Sequence, residues 1–152
     1  MDTILIGVDG STGSDRAVEH GLELAATMGA AALFVFVRQP PVPILDSPYY
    51  QRCVTGELEH AEDALARAHA RARECGVPAE SAILEGNAAH EIVELARIRD
   101  VDLIVVGTRG LAAVDDGVVG GVSRTVVHAA GRPVLVVPHG AAVPRSHLIG
   151  AA

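Results

Sequence analysis

The stretch Asp102-Leu-Ile-Val-Val-Gly-Thr-Arg-Gly110 decides the fold of this chain. Its residues 103–106 form an uninterrupted apolar run that is mostly β-branched, and such a run is typical of a parallel strand covered on both faces. Glycines follow where the strand must end and punctuate the segment beyond it, at Gly107, Gly110, Gly120 and Gly121. The pattern predicts a buried strand, then a glycine-marked loop, then a helix that starts near residues 120–122.

The start of that helix is where an anion is expected to bind. The first N–H groups of a helix have no partner within the helix, and the helix dipole places partial positive charge there. Glycines before the helix allow the backbone to approach a ligand closely, because no Cβ is in the way. The sequence therefore indicates a loop that favours phosphate.

The rest of the chain repeats the same strand–helix unit. We predict strands at residues 3–8, 32–37, 81–84, 103–106 and 133–137. We predict helices at residues 15–28, 56–75, 88–99 and 122–130, with Ser14 and Asn87 as N-caps and Met28 on the apolar face of the first helix. Residues 39–50 contain four prolines and are expected to be irregular. The alternation predicts a single α/β domain over residues 1–140, and residues 141–152 are expected to form a flexible tail.

Alternation at this spacing implies an open five-stranded parallel sheet with helices on both faces. It does not decide the strand order. The order 3-2-1-4-5 is attractive because it places the reversal of winding between the first and fourth strands, and these two strands precede the loops richest in Gly and Ser. Ligands of such sheets bind beyond the carboxyl ends of the strands at that reversal.

Composition excludes several functions. The net charge of −7 and the pI near 5.4 disfavour non-specific binding to nucleic acid or to a membrane surface. Aromatic residues make up only 3% of the chain, which argues against a base-stacking platform. The two cysteines and seven histidines show no metal-ligand spacing, so no metal site is expected.

The acidic N-terminus lacks the basic region of a signal peptide, and the cytoplasm is the expected compartment.

Three segments of the chain match strands of a known family: Ile4-Leu-Ile-Gly-Val-Asp9-Gly-Ser11, the stretch from Asp102 to Gly110, and Arg132-Pro-Val-Leu-Val-Val-Pro138. They resemble the first, fourth and last strands of the universal stress protein family, and the resemblance extends over about residues 1–138. The ATP-binding members of that family carry Gly, two residues, Gly, nine residues, Gly, and then Ser or Thr. Gly107, Gly110 and Gly120 have that spacing. Three glycines alone would be a weak signal, but here the flanking strands and helices also match.

The resemblance implies an adenine-nucleotide hydrolase-like fold, an ATP site and a homodimer. By position, Asp9 would face the ribose or adenine, Val37 would contact the adenine, and Gly107 and Gly110 would let the loop approach the nucleotide. The phosphates would be lined by Gly120, Gly121, Val122 and Ser123, and the dimer would pair through Val134, Leu135, Val136 and Val137. Other interpretations stay open: Asp9 as a turn former, Val37 as core, the glycines as turns, and the Ser123 hydroxyl as a helix cap.

Gly121 departs from the family pattern, which has Ser or Thr at that position. The backbone N–H is retained, but one hydroxyl donor to phosphate is lost, which could lower affinity by about 10- to 100-fold. Asp115 and Asp116 lie in the same loop and would repel phosphate, meet Mg²⁺ or point to water.

The leading interpretation is a stress-response protein that binds ATP or a related adenine nucleotide, with or without Mg²⁺, and acts as a nucleotide-dependent regulatory dimer. The first alternative is a dimeric interaction module with little or no ATP affinity. The second is a slow ATPase, although neither a P-loop lysine nor a clear general base is visible, and no catalytic residue is assigned.

Overall fold

The computed structural model of the chain describes residues 1–39, 48–108 and 121–144. Its strands are β1 (Thr3–Gly7), β2 (Ala31–Arg38), β3 (Ala79–Glu85), β4 (Leu103–Gly107) and β5 (Val134–Val137). Its helices are α1 (Thr12–Met28), α2 (Pro48–Cys75), α3 (Ala88–Ile98) and α4 (Gly121–Ala129). Strands and helices alternate along the chain, as the sequence predicts.

All strand pairs of the sheet are parallel, and the strand order is β3-β2-β1-β4-β5. The predicted order 3-2-1-4-5 is therefore confirmed. The chain moves from β1 outward through β2 to β3 and then crosses back to place β4 on the other side of β1. The winding consequently reverses between β1 and β4.

Two hydrophobic cores cover the two faces of the sheet. Alternate residues of β1 point to opposite faces: Ile4 and Ile6 pack with α1 and α2, whereas Leu5 packs with α3 and α4. Leu22 of α1 belongs to the first core and is fully buried. Burying a side chain of this size contributes roughly 1.5–3 kcal/mol relative to leaving it exposed.

The start of α1 differs from the prediction. The helix begins at Thr12, and its N-cap is Ser11, whose Oγ accepts a hydrogen bond from the Ser14 N–H at 3.2 Å. The prediction of Ser14 as the cap is wrong, because Ser14 already lies inside the first turn. At the other end of α1, Met28 is 50% exposed rather than part of the apolar face. Asn87 caps α3 as predicted, with its Oδ1 accepting from the His90 N–H.

Helix α2 begins earlier than predicted, within the proline-rich segment. Helix α2 begins at Pro48 instead of residue 56, so the last part of the segment is helical. Proline is well accommodated in the first turn of a helix, because its missing N–H would have no partner there. The preceding residues, 40–47, lie outside the described part of the chain.

Of the predicted C-terminal tail, residues 141–144 are described, and they lie against the fold. The Nε2 atom of His20 on α1 is 2.9 Å from the carbonyl oxygen of Ala142, and Pro144 is buried. In the described ranges, no helix combines the length and apolar character needed to traverse a bilayer.

Candidate functional site

The carboxyl ends of β1, β2 and β4 bring three of the predicted site residues to one edge of the sheet. Gly7 of β1 pairs with Val35 of β2, so Asp9 and Val37 each lie two residues beyond that pair. Ile6 of β1 pairs in the same way with Val105 of β4, two residues before Gly107. Asp9, Val37 and Gly107 therefore converge where the winding reverses, which is the usual ligand position in an open parallel sheet.

The turn between β1 and α1 is closed by three hydrogen bonds that form a ring. The Asp9 N–H donates to the Ser14 Oγ at 3.0 Å, the Ser14 N–H donates to the Ser11 Oγ at 3.2 Å, and the Ser11 N–H donates to the Asp9 Oδ1 at 2.8 Å. Side-chain oxygens of Asp and Ser commonly replace backbone acceptors in turns of this kind. The ring fixes the Asp9 carboxylate beside the first turn of α1.

Gly107 is required by a close approach between β4 and α1. A Cβ at this residue would lie 2.8 Å from the carbonyl oxygen of Gly13 and 3.4 Å from the backbone nitrogen of Ser14. These atoms belong to the Gly13–Ser14 peptide of α1, and as backbone they cannot move aside for a side chain. The end of β4 thus lies directly against the turn that carries Asp9, and the glycine has a packing role whether or not a ligand is bound.

Thr108 joins the segment after β4 to the end of β5. Its N–H donates to the carbonyl oxygen of Val137 at 3.1 Å, and its Oγ1 accepts from the His139 N–H at 3.2 Å. The glycine pattern of the sequence gave no indication of this residue. A polar residue that directly follows a buried strand and its terminal glycine is the signal that could have drawn attention to it.

Helix α4 presents its first two residues outward and its third inward. Gly121 is exposed, Val122 is 43% exposed, and Ser123 is only 1% exposed. Apart from its chain neighbours and the backbone of α4 itself, no described atom lies within 4 Å of the position that a Cβ on Gly121 would take. The exposed start of α4 offers backbone N–H groups, as expected for an anion site, while the Ser123 side chain is buried in the fold.

Val37 is half-buried and packs against the second core, on the face that α3 and α4 cover. The remaining predicted residues, Gly110 and Gly120, lie outside the described residues, and so do Asp115 and Asp116. In the described segments, no three His, Cys, Asp or Glu side chains come close enough together to hold a metal ion.

Acidic and basic side chains both lie near this edge of the sheet. Asp15 lies in the first turn of α1, and burial raises the pKa of its carboxyl above its usual value even though the nearby Arg67 of α2 acts to lower it. A second group from α2, His60, reaches the turn itself: its Nε2 lies 3.0 Å from the carbonyl oxygen of Asp9. Sequence reasoning missed this histidine, because 51 residues separate it from Asp9.

Comparisons with known proteins identify the family and the fold of the chain. A family model described as the universal stress protein family matches residues 1–138. The chain is 39% identical over 136 residues to the universal stress protein in the QAH/OAS sulfhydrylase 3′ region of Thermus aquaticus, and the match covers 89% of this chain and 97% of that protein. The solved universal stress protein UspA from Lactobacillus plantarum has the same fold, with a TM-score of 0.81 at 24% identity over 90% of this chain and 97% of that one.

A further solved structure is a universal stress protein in complex with cAMP. It has a TM-score of 0.71 and 26% identity to this chain, and the match covers 90% of this chain and 96% of that one. The family match spans every strand and helix described above, and the match to the Thermus aquaticus protein is nearly as long. The chain therefore belongs to the universal stress protein family.

Proposed function

We propose that this protein binds ATP or a related adenine nucleotide at the loops after β1 and β4, and acts in the cytoplasm as a nucleotide-dependent regulatory homodimer in the stress response. The observation that carries the proposal is the convergence of Asp9, Val37 and Gly107 at the reversal of winding. A related protein solved with cAMP supports an adenine nucleotide as the ligand class.

The proposed roles follow the position of each residue. The Asp9 carboxylate faces the ribose or the adenine, and Val37 contacts the adenine. Gly107 and Gly110 allow the loop backbone to approach the nucleotide. The phosphates are held by the backbone at the start of α4, with Gly120, Gly121, Val122 and Ser123 as the lining residues. Asp115 and Asp116 would either meet Mg²⁺ bound to the phosphates or point to water.

Gly121 provides the sharpest test of the phosphate site. The open space around its Cβ position means that serine fits there without displacing any described atom. The variant Gly121→Ser adds the hydroxyl that ATP-binding relatives carry, and Gly121→Ala fills the same space without a hydroxyl. We expect Gly121→Ser to bind ATP about 10- to 100-fold more tightly than Gly121→Ala, because a hydrogen bond to a charged group contributes about 1.5–3 kcal/mol.

The measurement is calorimetric titration with ATP, AMP and cAMP, with and without Mg²⁺, together with analysis of nucleotide released from a denatured sample. Binding by the wild type that Gly121→Ser strengthens would support the proposal. If neither the wild type nor Gly121→Ser binds at millimolar nucleotide, the site does not function. The protein would then be a dimeric interaction module, the alternative that the missing hydroxyl and the two loop aspartates favour.

The homodimer is proposed to form at the free edge of β5. Val134, Leu135 and Val136 are only half-buried, so this edge strand leaves apolar surface uncovered. One side of β5 is paired with β4. The carbonyl oxygens of Pro133, just before β5, and of Val137 accept hydrogen bonds from the N–H groups of Ile104 and Thr108. Alternate residues of a strand direct their backbone groups to opposite sides, so the N–H of Val136 faces the open edge.

We expect Val136→Pro to weaken the dimer while the monomer stays folded, because proline removes an edge N–H without removing a bond to β4. The control is Val136→Ala, which changes the side chain at the same position but keeps the backbone N–H. Light scattering across a concentration series measures the dissociation constant. A wild-type protein that is monomeric throughout, or a Val136→Pro variant that dimerises like the control, would show that β5 is not the interface.

A further inference from the structure

His60 connects helix α2 to the turn that carries Asp9. Its Nε2 lies 3.0 Å from the carbonyl oxygen of Asp9, within hydrogen-bond distance. Nε2 acts as the donor here, because a carbonyl oxygen can only accept. The contact spans 51 residues of sequence and joins two elements that are not adjacent in the chain.

The imidazole ring is held in this position from two sides. Phe36 of β2 contacts it edge-to-face, with ring centroids 5.7 Å apart and planes at 81°. Gly10 lies under it: a Cβ on Gly10 would be 2.7 Å from the His60 Cε1, and the backbone there is left-handed, with φ of +83°. The turn after β1 therefore leaves open, at Gly10, the space that the ring occupies.

The contact completes the anchoring of Asp9. Ser14 already accepts the hydrogen bond of the Asp9 N–H, and the Asp9 Oδ1 accepts the Ser11 N–H. His60 binds the remaining backbone group, the carbonyl oxygen. With both backbone groups of Asp9 bonded, the direction of its carboxylate is set by the surrounding fold rather than by the ligand, which reduces the ordering that binding requires.

We propose that His60 is a positioning residue of the nucleotide site, through which α2 holds Asp9 in its binding orientation. This inference rests on the proposed nucleotide function. It does not require His60 to touch the nucleotide. It assigns to α2 a role at the site that neither the glycine pattern nor the strand ends indicate.

The test uses two variants that separate the hydrogen bond from the ring. His60→Phe keeps a ring against Phe36 and Gly10 but has no donor, whereas His60→Gln keeps an N–H donor at the same distance along the side chain as Nε2. We expect His60→Phe to weaken AMP binding by about 3- to 10-fold, as for loss of one hydrogen bond, and His60→Gln to remain within about twofold of the wild type. Calorimetry with AMP measures both.

A second measurement is made without nucleotide, so that it judges the positioning role on its own. Hydrogen exchange of residues 8–14 should be faster in His60→Phe than in the wild type and close to the wild type in His60→Gln. Equal exchange rates in the wild type and both variants would overturn the inference. So would a wild type that binds AMP and a His60→Phe variant that binds it with equal affinity. A wild type that binds no nucleotide but shows the expected exchange pattern would refute only the proposed function.

Discussion

Substituting Gly107 with alanine tests whether β4 and α1 are as close as described. The added Cβ would lie 2.8 Å from the carbonyl oxygen of Gly13 and 3.0 Å from its carbonyl carbon. Both are backbone atoms, so no rotamer change can relieve the contact, and the first turn of α1 must retreat. Gly107 does not have a left-handed backbone, so the cost is steric rather than conformational.

The expected loss of stability is about 1–3 kcal/mol, the usual cost of adding one group to a tightly packed position. Gly121→Ala is the matched control, because no described atom lies within 4 Å of its Cβ position. Alanine is the better helix former, so this control should be neutral or stabilised by up to about 1 kcal/mol.

Urea unfolding without nucleotide separates the two variants. With a slope of roughly 2 kcal/mol per molar urea, a 2 kcal/mol loss lowers the midpoint of Gly107→Ala by about 1 M. A midpoint equal to that of Gly121→Ala would refute the reasoning, since it would mean that α1 and β4 leave room for a side chain. A changed slope with the same midpoint would point instead to an altered unfolded state.

Two further predictions concern contacts away from the site. The N–H groups of Thr3 and Asp2 donate to the Asp102 carboxylate and lower its pKa, so its stabilising effect is complete above the ordinary carboxyl pKa and is lost as pH falls through the lowered value. By calorimetry, Asp102→Asn should therefore have a lower melting temperature than the wild type at pH 7, and the two should converge once pH has fallen below the lowered pKa. The exposed control Asp63→Asn should match the wild type at pH 7, and an Asp102→Asn difference that persists in strong acid would contradict the reasoning. The Arg132 guanidinium donates to the carbonyl oxygens of Ala96 at 3.0 Å and Val101 at 2.6 Å. Arg132→Met should lower the free energy of unfolding in urea by about 1.5–3 kcal/mol, because the carbonyl oxygens of Ala96 and Val101 lose their charged donor. A loss no larger than that of the exposed control Arg124→Met would count against this prediction.

The order of strands and helices could be predicted because each strand is marked by a run of apolar residues in the local sequence. The apolar runs of β1 and β4 are read directly from the sequence. The loops after them only favoured the strand order 3-2-1-4-5, which the structure confirms. Met28 was misassigned because its spacing fits the apolar stripe, but it lies in the last turn of α1, where its side chain is 50% exposed.

The finer features of the site depend on contacts that no local pattern reports. Ser11 and Ser14 are both good capping residues, and their roles are decided by the ring of hydrogen bonds with Asp9. The need for Gly107 comes from the backbone of Gly13, far away in sequence. The position of His60 over Asp9 likewise results from the packing of α2 on the sheet, which periodicity alone does not resolve.

The two hydrogen bonds of Thr108 have a thermodynamic consequence. They fasten the start of the loop after β4 to the last residue of β5 and to His139 just beyond it. A nucleotide that displaced the loop would shift the end of the edge strand. Pairing of that edge with a second subunit would in the same way favour one position of the loop. The coupling free energy is reciprocal, so any factor by which nucleotide tightens the dimer is the factor by which dimerisation tightens nucleotide binding. Under the proposed function, protein concentration would then act as a second input beside the nucleotide.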